Sequence, residues 1–487
     1  QDRTNFNDVP QTYRFAVATD YLPTGIEAIP SMVSAPSITP ATISLGEDLG
    51  QRATLTATFK DHKWADTGTG YDPYVSERDY APYSQGTYFG KFRARHRYVR
   101  GRDLRLITGT VGQALAAMEN RHYVIDSFDG PSPSGEYRLI AKDVLKLADD
   151  NRALAPALSE GSLNAAITDV ATSLVLKPTG VGALYPASGH AALGGKEIVS
   201  YTRSSDTLTI TRAQLNTVAQ AHDVEDRVQD ILVYSGEDPA DIIYDLLVNY
   251  AGVDAAYIPL ATWQTETDTY LTRVYTTYIA EPTGVNQLVS EVIAQAGLAV
   301  WWDDVTQEIK LRVLRAIPTD AAVFDEDNTL EGTLQVSEQP EKRISQTIVY
   351  YGQINPLKPV DEKENYRSAL LNVDLQSSGD YGSTALRTVL ARWIPAFGSS
   401  TAQRLSDILI GRFLDPPRLF NFDILRHGDE TVALGGGYLI GGWSLQDDTG
   451  AQANAPVQVT RLAPKADRYS VEAEEVLFQD LDPAALV

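Results

Sequence analysis

The chain has 487 residues, of which 43% are apolar and 22% charged, with a formal net charge of −23 and no cysteine. This length exceeds one ordinary core and sets a frame of roughly three or four domains, and the composition is that of a folded globular protein. The missing cysteines exclude disulfides, thiolate nucleophiles, Cys-held zinc and Cys-held iron–sulfur clusters within these residues, while the acidic balance argues against tight wrapping of nucleic acid, which needs a basic footprint.

No apolar run reaches the ~18 residues that a membrane-spanning helix needs. The opening segment QDRTNFNDVP lacks the charged start, apolar middle and small-residue cleavage site of a secretory signal. A chain that opens on Gln1 is expected to lack residues upstream. Its histidines, His62, His96, His122, His190, His222 and His427, are scattered and show no metal-ligand spacing.

In chain order, residues 1 to about 110 carry short runs of Thr, Val, Tyr and Phe between Gly, Pro and Asp, which predicts β structure with long loops. In RATLTATF, Ala53, Leu55, Ala57 and Phe59 alternate with threonines, the pattern of a half-buried strand. Asp66–Gly86 reads as a long Tyr/Asp/Gly/Pro excursion of the kind that grips a partner. In GKFRARHRYVR, Lys91, Arg93, Arg95 and Arg97 alternate with Phe92, Ala94, His96 and Tyr98, which predicts a strand with one basic face. Such a strand serves as a charge-protected edge, a contact with an acidic neighbouring subunit or a contact with passing DNA. VGQALAAMENR places Val111, Leu115 and Met118 at helical spacing, and AKDVLKLADDNRA does the same for Val144, Leu145 and Ala148.

The stretch GGKEIVSYTRSSDTLTITRAQLNTVAQAH, Gly194–His222, concentrates hydroxyls, carboxylates, arginines and a histidine. Its runs EIVSY and TLTIT flank turn-forming residues, with TSLVLKP before and DRVQDILVY after, so a small sheet is predicted. Ser200, Asp206 and His222 have no nucleophile elbow or glycine pattern that would make them a triad.

Two helices are signposted next. GEDPADIIYDLLVNYAGV offers Asp238 as N-cap and Pro239 at the first helical position, with Ile242, Ile243, Leu246, Leu247 and Tyr250 inward and Gly252 as the stop. Val285, Leu288, Val289, Val292, Ile293 and Ala296 define a second helix that Gly297 ends. LAVWW and EIKLRVL then predict a hairpin around DDVTQ. Asp303 and Asp304 beside Trp301 and Trp302 resemble a glycosidase carboxylate pair only superficially, because adjacent carboxylates at a hairpin corner point apart. DEDNTLEG departs from a calcium loop at its sixth position, Leu330. GGGYLIGGW breaks the dinucleotide fingerprint and reads as a turn entering a strand. A last helix, STAQRLSDILIGRFLDPP, is stopped by Pro416 and Pro417 within a β-rich tail. The fold class is therefore mainly β with α/β elements, in several domains: 1–160, 161–232, 233–330 and 331–487.

These segments carry a resemblance. LGQRATLTATFKDH with the run DPYVSERDYAPYSQGTYFGKFRARHRYVRGRDLRLITG, the Gly-x-Glu-Ile, Thr-Arg and Ala-His elements of residues 184–228, DIIYDLLVNYAGVDAAYI, LVSEVIAQAGLAVWWDDVTQEIKLRVL, QPEKRISQTIVYYGQINPLK and ARWIPAF with LSDILIGRFLDPP together resemble the baseplate or tail-tip hub proteins of long-tailed bacteriophages. The resemblance covers most of residues 40–480. It implies two tube-like β hub domains, 1–160 and 331–487, around a small inserted β module, 161–232, and a central α/β unit, 233–330. It further implies a homotrimer forming a pseudo-sixfold ring at the distal end of the virion tail, with no catalytic role and no cofactor. The implied partners are other copies of the chain, a distal tail ring, the C-terminal end of a tape-measure protein, a central fibre or tip protein, and double-stranded DNA in transit. Some related hubs hold an iron–sulfur cluster through cysteines, which this chain lacks. No fibre-like or lysozyme-like extension is expected near residue 487. In this setting Lys91, Arg93, Arg95 and Arg97 are the candidate subunit-interface or lumen residues. The alternative class is a carbohydrate-active or glycan-binding tail protein using the 25 tyrosines and six tryptophans, a set that also suits protein interfaces.

Overall fold

A computed structural model describes residues 12–62, 86–149, 153–426, 431–447 and 449–478. The chain is mainly β, with 37% strand against 20% helix, and multidomain. It divides into two compact units, one of residues 1–41, 52–144 and 303–307 and the other of residues 42–51, 145–302 and 308–487. No helix among the described residues is long and apolar enough to cross a membrane, which leaves strand-built spans unaddressed.

The first unit is built on a five-stranded sheet. Its strands are β1 (Ser37–Thr39), β2 (Thr54–Lys60), β3 (Asp103–Thr108), β4 (Glu119–Asp129) and β5 (Glu136–Lys142), in the order β1-β2-β5-β4-β3. The alternation in RATLTATF has its predicted outcome: Leu55, Ala57 and Phe59 are buried between half-exposed threonines. One helix, α1 (Tyr88–Arg95), packs on this sheet through Tyr88 and Phe89. Its underside belongs to an aromatic cluster in which Phe89 lies 5.3 Å from Phe59 and 5.4 Å from Tyr137, ring centre to ring centre. The Asp66–Gly86 excursion lies, except for Gly86, outside the described residues.

Two expectations in this unit are corrected. The basic run is a helix and not a strand, because Tyr88, Phe89, Phe92 and His96 recur at helical spacing and all four rings join the aromatic cluster. Residues 111–121 are not a helix. A single 3-10 turn, Leu115–Ala117, precedes β4, which takes the residues from Glu119 onward into pairing with β3 and β5. Val111 is left well exposed, so the helical spacing of Val111, Leu115 and Met118 had no core to face. The AKDVLKLADD segment is a 3-10 helix, Val144–Asp149, with Val144, Leu145 and Ala148 buried.

In the second unit, β6 (Leu154–Ala155) precedes a six-stranded sheet. Its members are β7 (Ser162–Leu163), β8 (Ser173–Lys177), β9 (Ser188–Leu193), β10 (Glu197–Ser204), β11 (Thr207–Gln214) and β12 (Val228–Asp230), in the order β12-β9-β10-β11-β8-β7. Leu163, Leu174, Leu193, Val199, Leu208 and Val228 fill its core. The Gly194–His222 stretch is thus a sheet, with β10 and β11 as antiparallel neighbours around Ser205, whose φ of 55° suits the tight turn.

Next come β13 (Leu232–Glu237) and α2 (Pro239–Asp245), which runs on as a π-helical turn to Tyr250. Asp238 caps α2 by accepting from the Ala240 N–H, and Ile242, Ile243, Leu246 and Leu247 are buried. A helix the sequence did not announce, α3 (Leu260–Tyr270), is rich in threonine and buries only Trp263 and Thr267. β14 (Tyr275–Ile279) pairs with β13, and β15 (Thr283–Gly284) pairs with β6. α4 (Val285–Ala296) buries every residue its periodicity predicts and ends at Gly297, whose φ is 65°. β16 (Leu298–Asp303) and β17 (Glu308–Val313) form the predicted hairpin.

The C-terminal part holds two further sheets. β18 (Val323–Phe324), β19 (Gln335–Glu338), β23 (Arg418–Leu425), β24 (Gly437–Ile440), β25 (Ala455–Pro464) and β26 (Arg468–Glu475) are ordered β18-β24-β25-β26-β23-β19. The other sheet, β20 (Gln346–Gln353), β21 (Tyr366–Val373) and β22 (Leu386–Ala391), is ordered β21-β20-β22. A short helix α5 (Leu375–Asp380) follows β21, and α6 (Ser399–Phe413) ends just before Pro416 and Pro417.

Candidate functional site

Three charge-bearing places were singled out: the Gly194–His222 stretch, the carboxylates at the 303–304 corner and the basic run from Lys91. The first becomes one buried centre. β10 brings Glu197, β11 brings Arg212, and the loop that follows brings His222. Glu197 is fully buried. Arg212 donates to both its oxygens, Nε to Oε1 at 2.8 Å and Nη2 to Oε2 at 2.6 Å, and the Ala213 and Gln220 N–H groups donate at 3.0 and 3.1 Å. His222 Nε2 lies 3.1 Å from Glu197 Oε2, and its Nδ1 faces Asp226 Oδ2 at 3.3 Å.

Burial alone would raise the Glu197 carboxyl, but the hydrogen bonds from Arg212, the Ala213 N–H, His222 and the Gln220 N–H outweigh it and hold the group at about 2. Arg212 spends its remaining donors on backbone, Nη1 on Thr168 O at 2.6 Å and Nη2 on Gln220 O. The His222 backbone exchanges hydrogen bonds with Ile167. Every group therefore ties a loop to the sheet, and a carboxylate so saturated with donors is a poor base or nucleophile.

Ser200 and Asp206 do not join this centre. Ser200 pairs across the sheet with His190 and Thr211. Asp206 accepts from the Gly180 and Gly182 N–H groups at 2.7 and 2.8 Å, which lowers its carboxyl. The three residues of the hypothetical triad thus serve separate local structures.

The carboxylates at the hairpin corner also part company. Asp303 Oδ1 accepts from the Val305 and Thr306 N–H groups and shapes the turn. Asp304, in the first unit, turns inward to Arg121: Nη1 of Arg121 donates to its Oδ1 at 3.0 Å and its Oδ2 at 2.8 Å, and the Tyr123 hydroxyl donates at 3.2 Å. Burial pushes the Asp304 carboxyl up, against the opposing pull of Arg121. Sequence reading missed this pair, since nothing local links residues 121 and 304.

The basic run is arranged as a helix and its extension. Lys91 and Arg95 are half-buried and one turn apart, Arg93 is exposed and donates to Phe128 O, and Arg97 is exposed beyond the helix end. Exposed Arg100, Arg102 and Arg105 follow, so from Lys91 to Arg105 Asp103 is the only acidic residue. On a helix Lys91 and Arg93 lie on opposite sides, so the run does not present the single basic face that a strand would have; β3 beyond it is an edge strand.

The DEDNTLEG segment satisfies itself. Asn328 Oδ1 accepts from the Asp325 N–H, and Asp325 Oδ1 accepts from the Asp327 N–H. Among the described residues no group of His, Cys, Asp and Glu side chains is arranged to hold a metal ion.

No family model matches the chain, and no curated protein matches it. Among solved structures it is similar to a 43 kDa tail protein of prophage MuSo2 from Shewanella oneidensis, at 8% identity and a TM-score of 0.38 over 93% of this chain and 99% of that one. It is similar to a tail protein from Neisseria meningitidis at 10% identity and a TM-score of 0.39, covering 92% and 97%. A chain of a native gene transfer agent virion gives 10% identity and a TM-score of 0.35 over 100% of this chain and 92% of that one. The neighbours found are thus prophage tail proteins and a virion component.

Proposed function

We propose that the chain is a structural, non-enzymatic protein of a bacteriophage tail, and that it forms a trimeric, pseudo-sixfold hub ring at the distal end. The observation that carries this reading is the fate of the Gly-x-Glu-Ile, Thr-Arg and Ala-His elements. These are the elements by which residues 184–228 resemble a tail-protein β module, and Glu197, Arg212 and His222 meet in one buried centre that stabilises a sheet. Motif residues spent on scaffold suit a scaffold protein. In this reading residues 1–160 and 331–487 are the hub domains, 161–232 the inserted module and 233–330 the central unit.

The ring would join the tail tube and distal tail ring to the tip, hold the end of the tape-measure protein and then pass the genome. An acidic chain favours passage of DNA without adhesion, since like charges repel. The basic run of Lys91, Arg93, Arg95 and Arg97 then serves contact with an acidic neighbouring subunit.

The test is electron microscopy of the purified chain with its tail tube, supported by light scattering. A closed ring of three 53.2 kDa chains, about 160 kDa, at the tube's distal end is the expected result. A chain that never enters tail particles, and that instead binds or cleaves a host polysaccharide as a monomer, overturns the proposal.

A further inference from the structure

Two stretches that fail as motifs when read singly, DEDNTLEG and GGGYLIGGW, meet at one corner of the C-terminal six-stranded sheet. β18, which leads into the first, pairs with β24, which lies in the second, and the Gly441 N–H donates to Phe324 O at 2.8 Å. Ile440 and Leu445 are both buried in the core that holds Phe324. Between them the Leu445 N–H closes a tight turn on Gly442 O at 3.0 Å, with Trp443 and Ser444 at its two central positions. Trp443 is therefore carried outward, and it is 80% exposed.

The corner holds that residue in place. The Trp443 N–H donates to Glu326 Oε1 at 2.8 Å, and Gln446 Nε2 donates to Trp443 O at 2.7 Å. Asn328 braces the facing loop, accepting from the Asp325 N–H and donating to Val323 O, both at 2.8 Å. The charge on the two segments has one sign. Glu326, Asp327, Glu331 and Asp447 are exposed. Residues 320–331 hold five carboxylates, and neither they nor residues 431–460 contain a lysine or arginine.

A large aromatic ring held out in water by a pinned turn loses little freedom when a partner covers it. An indole face attracts a cation placed over it, and the carboxylates beside it complement further positive charge. A neutral sugar also lies on indole faces, but it gives no reason for a corner with carboxylates and no cation.

We infer that the Trp443 corner docks a lysine- or arginine-bearing segment of a different protein, with one cationic side chain over the indole and others facing Glu326, Asp327 and Asp447. The inference goes beyond the tail reading and does not depend on it, because the chemistry of the corner is the same whether or not the chain enters tail particles.

The test uses the full chain and a short fluorescent Gly-Arg peptide, with the Gly-Glu peptide as control. Binding is read by anisotropy in about 0.15 M salt, where a Debye length of about 8 Å screens the general charge of the chain. The Gly-Arg peptide is expected to bind the wild type, and to bind Trp443→Ala at least about fivefold more weakly. Trp443→Phe should fall between them, and Glu326→Gln/Asp327→Asn should also weaken binding. Asp268→Asn/Asp380→Asn, which removes two exposed carboxylates elsewhere in the second unit, should bind like the wild type. An unchanged thermal midpoint checks that each variant is folded. A Gly-Arg peptide that does not bind, or that binds Trp443→Ala as tightly as the wild type, overturns the inference. Equal weakening by the distant Asp268/Asp380 variant overturns it too, since only whole-chain attraction is then at work. So does maltoheptaose binding that needs Trp443 while the peptide does not bind, which makes the corner a sugar site.

Discussion

Arg212 grips Glu197 with two nitrogens of its guanidinium, at 2.8 and 2.6 Å, inside a sheet where the carboxylate has no contact with solvent. Removing one member of such a pair leaves the other charge buried without compensation, which costs about 3–5 kcal/mol. Glu197→Gln and Arg212→Met are each expected to lower stability by that order in denaturant unfolding, and the double variant by less than the sum of the singles.

The same carboxylate predicts a pH dependence. Its folded value, about 2, lies below the ordinary 4.5. A depressed carboxyl contributes stability that is complete above the unfolded value and is lost as pH falls through the folded one. Glu197 therefore contributes fully above about pH 4.5 and loses its contribution between there and about pH 2. Unfolding of the wild type should steepen across that window, and Glu197→Gln should flatten the curve there.

Arg121 and Asp304 make the corresponding pair in the first unit, with Glu119 also bonded to Arg121. Arg121→Met leaves Asp304 buried beside Tyr123 without its counter-charge. A loss of about 3–5 kcal/mol is expected, read as a drop in the thermal midpoint.

Gly435 has a φ of 73°, and a Cβ placed there would stand 2.1 Å from Cζ2 of Trp301. Gly435→Ala therefore combines a left-handed backbone with a collision against a buried indole. Roughly 1–3 kcal/mol from overpacking and about 1 kcal/mol from the backbone are expected together, whereas Gly252→Ala, with open space around it, should lose only the backbone part.

Charge reversal at Lys91, Arg93, Arg95 and Arg97 tests the basic run. Arg93 loses a hydrogen bond to Phe128 O, worth about 0.5–1.5 kcal/mol, and the thermal midpoint checks that the monomer stays folded. Ring assembly should be lost. A quadruple Glu variant that assembles normally removes this run from the interface.

The sequence by itself determined the elements whose evidence is local. The period of two in Leu55, Ala57 and Phe59 marked a strand, and the period of 3.6 from Val285 to Ala296 marked a helix that Gly297 had to end. Asp238 and Pro239 announced α2 because a cap and a fixed φ act within one turn. At Lys91–Arg97 two periods overlap in one segment, alternating cations and helically spaced aromatics. Only packing against Phe59, Phe128 and Tyr137 decided for the helix. α3 escaped notice for the related reason that its threonines favour no helix and its buried face is only Trp263 and Thr267.

The sites divide along the same line. Glu197, Arg212 and His222 were legible as a suspicious concentration of charge, yet whether they catalyse or brace depends on where their donors point, and that is set by strand register. Residues 121 and 304 meet through a pairing that no local pattern encodes, and the leucines at 371 and 386 share a sheet face only through the register of the strands on either side of β20. Burial and charge balance are properties of the folded surroundings, so the tertiary structure alone could decide which of these residues are spent on the fold and which remain for a partner.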